Sequence, residues 1–432
     1  MPSLKERDRE VNWHPYTQMK TADDIIPIVK GKGVYLFDDT GKKYIDAVSS
    51  WWVTLHGHAH PYIARKISEQ LNTLEQVIFA GFTHEPATRL SEKLLQLLPD
   101  NQGKVFYSDN GSTAVEVALK MSIQYINNQG EKKTKILAFK NAYHGDTFGA
   151  MAVSGRGTWT QPFSEMLFEV VFIDTPTSEN WESIQSQITN IADEVVCFIF
   201  EPLIQGAAGM LMYEAENLVR LMKLCRKSGI LMIQDEVFTG FGRTGEFFAA
   251  GHLSEKPDIM CFSKGLTGGT LPMGITTCTN DIYNAFLSDD QSKTLFHGHS
   301  FTANPLSCTA ALASMDLLLK PETQKNIRRI TDQHSQFSQR LKEHESFENI
   351  RQTGTIIAWE IKTVYETSYF NAIGKVFYKE FLERGIIIRP LGNTMYLVPP
   401  YCITAEELEF VYKNIIEVAE KLTATPIVHV YI

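Results

Sequence analysis

From about residue 60 to residue 310, short apolar runs alternate with segments whose apolar positions recur at helical spacing. The runs Lys104–Ser108, Lys135–Phe139, Glu169–Ile173, Val195–Glu201, Ile230–Asp235 and Ile259–Ser263 read as strands. Such alternation predicts an α/β fold, a mainly parallel sheet covered by helices on both faces. Ahead of it, Gly33–Asp38 and Lys43–Asp46, separated by the turn Asp39-Thr40-Gly41, predict a small β-hairpin. A long helical stretch begins after Asn304-Pro305, and the remaining chain mixes helices with strands at Thr355–Ile361 and Met395–Pro399. The expected organisation is a large α/β domain over residues 56–310 and a smaller α+β domain assembled from both chain ends, 1–55 and 311–432.

Composition narrows the class of ligand. With 432 residues, 44% of them hydrophobic, the chain can bury a sizeable core. Its net charge of −9 comes without concentrated basic runs, which argues against nucleic acid and against electrostatic docking on an anionic membrane. A small soluble ligand is the expectation. The six cysteines are scattered and form no Cys-x-x-Cys pair, so neither a disulfide framework nor a structural zinc site is expected, and a reducing cytoplasm fits. No apolar run reaches the roughly 18 residues of a membrane span. His56, His58 and His60 alternate through a glycine-containing turn before Pro61, which is not a metal-ligand pattern, and no metal is expected.

Candidate chemistry lies at strand ends. Ile230–Val237 is an apolar strand ending in Asp235 and Glu236, whose carboxylates emerge at the edge where open α/β sheets bind ligands. A second strand, Asp258–Lys264, delivers Lys264 to the same region before the glycine-rich stretch Gly265–Gly269. A partly desolvated lysine there has a lowered pKa and a fraction of free amine able to attack an aldehyde; a strand-end lysine pointing into water is the plainer alternative. Val105–Glu116 supplies a strand, a turn at Gly111 and a helix start whose free amides suit a phosphate, with Thr113 and Glu116 at capping-box spacing.

In order and spacing, Asp235-Glu236-Val237, Gly240, Gly242-Arg243-Thr244-Gly245, Asp258 and Ser263-Lys264 resemble the signature of the class III (ω-type) pyridoxal-phosphate aminotransferases. The resemblance implies fold type I, with pyridoxal 5'-phosphate carried on Lys264 as a Schiff base and Asp235 paired with the pyridine nitrogen. It also implies phosphate binding by Gly111 and Ser112, and a ring face covered by Tyr143 of Tyr143-His144-Gly145. Glu201 and Gln205 match a further family element, as polar support of the ring or as structural groups. Gly298-His299-Ser300 resembles the loop that reaches the phosphate of the neighbouring subunit, which implies a homodimer with shared sites and cofactor contacts from His299 and Ser300. His299-Ser300 departs from the family's more frequent proline or phenylalanine followed by threonine, although serine keeps the hydroxyl.

Trp13–Met19, Ser49–Trp52, His56–Pro61 and Ile388-Arg389-Pro390 further resemble the members of this family that serve biotin synthesis. That resemblance implies transamination of 8-amino-7-oxononanoate, with S-adenosylmethionine as donor or, as in some members, lysine. It places Tyr16, Trp51, Tyr143, Lys264, Gly298 and Arg389 at the substrate, with Tyr16 beside Lys264 and Asp235 in the catalytic set. Two adjacent tryptophans are otherwise read as a core cluster, and Trp52 stays open on that point. Arg243 either meets a substrate carboxylate or holds its loop. Another class III enzyme acting on a different acceptor is one rival, and a catalytically silent binding protein of this fold is another.

Overall fold

A computed structural model describes residues 2–363, 367–368 and 371–423. Its centre is a seven-stranded sheet in the order Gln102–Ser108, Gly274–Thr279, Ile259–Phe262, Leu231–Asp235, Val195–Phe200, Lys135–Phe139 and Val171–Ile173. All six predicted strands are present. Gly274–Thr279 was not predicted, and it alone runs antiparallel to both of its neighbours. Its threonines disguise it: Thr276 donates to the carbonyl of Ala114 and Thr277 to Oε1 of Gln102, each at 2.7 Å, so hydroxyls are buried without being orphaned.

The helix Gly111–Asn128 covers one face of this sheet with Ala114, Val115, Val117, Ala118 and Leu119, all buried. The small residues allow close approach, and larger side chains such as Phe198 and Phe200 fill the other face, each contributing about 1.5–3 kcal/mol through burial. The capping box differs from the expected one. Asn110 is the N-cap, paired reciprocally with Thr113. Glu116 instead accepts from Oγ1 of Thr147 and from the backbone N–H of Gly149 and Ala150, fastening the next loop to this helix.

The predicted hairpin pairs Tyr35–Asp38 with Lys43–Asp46. Ile28–Lys32 adds an outer antiparallel strand, and Ile386–Ile387 joins parallel to Lys43–Asp46, so one sheet draws on both ends of the chain. A third sheet pairs Phe347–Thr353, Ile356–Ile361 and Thr394–Leu397 antiparallel. Among the described residues, no helix is long and apolar enough to cross a membrane.

Candidate active site

The chemistry-bearing residues leave the carboxyl ends of parallel strands. Asp235 closes Leu231–Asp235, Lys264 follows Ile259–Phe262, Glu201 follows Val195–Phe200, Tyr143 follows Lys135–Phe139, and Gly111 and Ser112 follow Gln102–Ser108. These strands share one direction, which puts all their carboxyl ends on one edge. They line a cavity of about 480 Å³ there.

Lys264 sits with φ 47°, a left-handed conformation costly for a side chain bearing a Cβ. Its Nζ lies 4.6 Å from the ring centre of Trp52 and 5.6 Å from that of Phe238. Burial lowers its pKa to about 8 against the opposing pull of the Asp235 and Glu201 carboxylates, with the Arg243 charge lowering it further. Asp235 is buried, with Oδ2 2.7 Å from Nδ1 of His144 and Oδ1 accepting from the Val237 N–H at 2.9 Å. Nε2 of His144 is buried with no hydrogen-bond partner.

Glu201 is buried and accepts from the N–H of Tyr143 at 2.9 Å and of Gly206 at 3.0 Å. Burial raises its pKa to about 7, opposed by the His144 charge and the Tyr143 amide. Gln205 is buried with both side-chain amide atoms unpartnered. Ser112 Oγ accepts from the Asp146 N–H at 3.1 Å, joining the helix start to the Tyr143–Thr147 loop. This junction is tight: a Cβ on Gly145 would stand 1.9 Å from Ser112 Oγ, and one on Gly111 would stand 2.8 Å from Val237 Cγ1.

Of the residues singled out from the sequence, Gly111, Ser112, Tyr143, Asp235 and Lys264 line this cavity. Tyr16, Trp51 and Arg389 form an aromatic and cationic group beside it. The Tyr16 hydroxyl donates to Asp146 and lies 3.3 Å from the Tyr143 hydroxyl, while its ring meets Trp51 at 5.4 Å between centres. The Arg389 guanidinium lies 4.3 Å over the Trp51 ring. Gly298 and Ser300 are exposed and His299 is half-buried, on a loop that contributes nothing to this cavity's lining. That loop is held by Gln76, which donates to the Ser300 carbonyl at 2.6 Å.

Trp52 lines the cavity and donates from Nε1 to the Tyr396 hydroxyl at 3.2 Å. Arg243 is buried and donates to the carbonyls of Pro399 at 2.8 Å and Trp52 at 3.3 Å, so it holds two backbone segments together. The histidines of the His56–His60 turn each have a structural partner: His56 meets Ser314, His58 meets Asp46, and His60 caps the helix Pro61–Leu71. Sequence reasoning assigned no role to Asn110, His144, Asp146 or Phe238, all in the lining. His144 and Asp146 lay inside the Tyr-His-Gly segment already singled out. Phe238 carried no local signal.

The model of the family described as aminotransferase class-III matches residues 17–419. A protein of Synechococcus elongatus named adenosylmethionine-8-amino-7-oxononanoate aminotransferase is 45% identical over 422 residues, covering 95% of this chain and 98% of that protein. The crystal structure of a protein of the same name from Methanocaldococcus jannaschii matches with a TM-score of 0.93 at 38% identity, covering 97% of this chain and 98% of that one. An amine transaminase from an uncultivated Pseudomonas species, in its PLP-bound internal aldimine form, matches with a TM-score of 0.89 at 28% identity, covering 95% and 98%. With a fold type I α/β sheet and this similarity along nearly its whole length, the chain belongs to the class-III aminotransferases.

Proposed function

We propose that this chain uses pyridoxal 5'-phosphate to convert 8-amino-7-oxononanoate into 7,8-diaminononanoate for biotin synthesis, with S-adenosylmethionine as the amino donor. The observation that carries the reading is Lys264, a half-buried amine with a pKa near 8 at the mouth of a mainly parallel sheet, beside the Asp235 carboxylate. The acceptor and donor follow the names of the Synechococcus and Methanocaldococcus proteins.

The residues present fit this cofactor. Gly111 and Gly145 leave a cradle where any Cβ would collide, at a helix start whose first amides suit a phosphate, and Asp235 and Lys264 share the cavity with it. Bound there, the cofactor supplies an aldehyde that condenses with primary amines and a ring that takes up the electron pair left by a departing Cα proton.

Each side chain then has a defined task. With a pKa near 8, about one Lys264 in ten is free amine at pH 7, enough to react with an aldehyde. Displaced by the donor amine, Lys264 Nζ carries the proton away from the donor Cα. Asp235, fixed by His144 and the Val237 amide, holds a proton on the pyridine nitrogen. Gly111 and Ser112 bind the phosphate, and Tyr143 covers one ring face and excludes water. Tyr16 and Trp51 line the approach for an aliphatic acceptor, and Arg389 pairs with its terminal carboxylate. Gly298, His299 and Ser300 serve the site of a second copy, so the working unit is a homodimer, acting in the cytoplasm.

Half-reactions test this reading. The loaded protein is converted with S-adenosylmethionine or with lysine, followed by absorbance, and then offered 8-amino-7-oxononanoate or 2-oxoglutarate. Conversion by S-adenosylmethionine and recovery of the aldehyde form by 8-amino-7-oxononanoate are expected. Recovery by 2-oxoglutarate alone would overturn the acceptor, and conversion by lysine alone would overturn the donor.

A further inference from the structure

The double tryptophan sits on a strained turn. Ser49, Ser50 and Trp52 have φ of 52°, 61° and 67°, left-handed values that are sparsely populated away from glycine, while Trp51, between Ser50 and Trp52, returns to φ −124° with ψ 58°. Such a run persists only where its surroundings over-determine it. Here the surroundings converge on one side chain. Asp46, fully buried at the end of its strand, accepts through Oδ1 from the Val48 N–H at 3.2 Å. Through Oδ2 it accepts from the Ser50 N–H at 2.6 Å and from the Ser50 hydroxyl at 3.2 Å, with His58 Nε2 at 2.9 Å.

The clamp is anchored away from the turn. Asp46 donates its N–H to Val34, and His58 exchanges backbone hydrogen bonds with Gly33, so both partners belong to the N-terminal sheet. The far side of the turn is tied by Ser49 Oγ donating to the Val398 carbonyl at 2.7 Å and by Arg243 reaching the Trp52 carbonyl. The Asp46 carboxylate also favours the charge of the buried Arg243.

The twist separates two adjacent tryptophans. Trp52 turns inward, 4.5 Å from Phe238 and beneath Lys264 Nζ, whereas Trp51 turns outward, 37% exposed, against Tyr16 and Arg389. We propose that Asp46 is a positioning residue: its carboxylate clamps the Ser49–Trp52 turn and thereby holds Trp52 against Lys264 and Trp51 against Arg389. Asp46 does not line the cavity, so it holds the two tryptophans through the turn. The effect on the acceptor rests on the function proposed above; the effect on Lys264 does not.

Asp46→Asn tests it, because an amide cannot present two acceptor atoms to the donors that surround the carboxylate. Released, the turn withdraws Trp52 and admits water to Lys264. Two measurements on the full chain decide. In cofactor-free protein, the pH midpoint for acylation of Lys264, read by mass spectrometry, moves upward by about one unit, so labelling near neutrality falls about tenfold. In the loaded enzyme, KM for 8-amino-7-oxononanoate rises at least about tenfold. A folded Asp46→Asn protein with either value unchanged overturns the clamp. Where Asp46→Asn does not fold, Ser50→Ala and His58→Ala, which each remove one bond, decide instead: shifts of about threefold in the same directions support the clamp, and wild-type values overturn it. Labelling needs neither cofactor nor acceptor, so it judges the clamp even where wild-type protein fails to turn over 8-amino-7-oxononanoate, the result that overturns the proposed function alone.

Discussion

Nδ1 of His144 lies 2.7 Å from Oδ2 of Asp235, and both residues are buried. This contact fixes which way the carboxylate faces, since Oδ1 is already held by the Val237 amide. His144→Ala is expected to lower kcat about tenfold to a hundredfold by freeing Asp235 to turn. His144→Asn, whose amide nitrogen can stand in for Nδ1, should recover most of the loss. Equal defects in the two variants would show that the contact does not orient Asp235.

Lys264→Met should abolish turnover while stabilising the cofactor-free protein. The amine has a pKa of about 8 in the folded chain against an ordinary value near 10.5, so the unfolded chain binds more protons between those values and stability rises with pH across that window. Below pH 8 the full penalty of a buried charge is present, about 3 kcal/mol, and the methionine variant escapes it. Denaturant unfolding at pH 7 and pH 10.5 should show the gain at the first and little of it at the second.

Gly145→Ala is predicted to cost cofactor affinity at least about tenfold with the fold intact, because the new methyl group displaces Ser112 Oγ and the backbone is held at φ 132°. Ser112→Ala should lose less, since the backbone amides remain. Equilibrium dialysis of pyridoxal phosphate orders the two variants.

Arg389→Met should raise KM for 8-amino-7-oxononanoate by about ten- to a hundredfold while sparing acceptors without a distal carboxylate, because a charge-assisted pair contributes about 1.5–3 kcal/mol. A uniform loss across acceptors would instead place Arg389 in support of the Trp51 ring it covers.

Mixing Ser300→Ala chains with Lys264→Ala chains tests the shared site. If Ser300 serves a neighbouring copy, one of the two sites in a mixed dimer carries both defects and the other carries neither, so the purified mixed dimer returns to about half of the wild-type level. Activity no higher than that of the unmixed Ser300→Ala protein would confine the loop to its own chain.

Much of this protein is written locally. Alternating apolar and helical segments are enough to call for a parallel sheet, because each segment must bury its own face, and strand direction alone then gathers Asp235, Lys264, Glu201 and Ser112 on one edge. The sequence motifs therefore gather around one cavity. Other features could arise only in the folded chain. Gly274–Thr279 can lie as an inner strand because Ala114 and Gln102 accept its threonine hydroxyls, partners more than 150 residues away. Trp51 and Trp52 are alike as letters, and only the left-handed turn held by Asp46 and His58 sends one outward and the other beneath Lys264. Glu116 reads as a helix cap until Thr147 and Gly149 arrive to claim it. Local propensity follows from a residue and its near neighbours, whereas satisfying a buried polar group, or holding a strained backbone, depends on groups that only tertiary packing brings within reach.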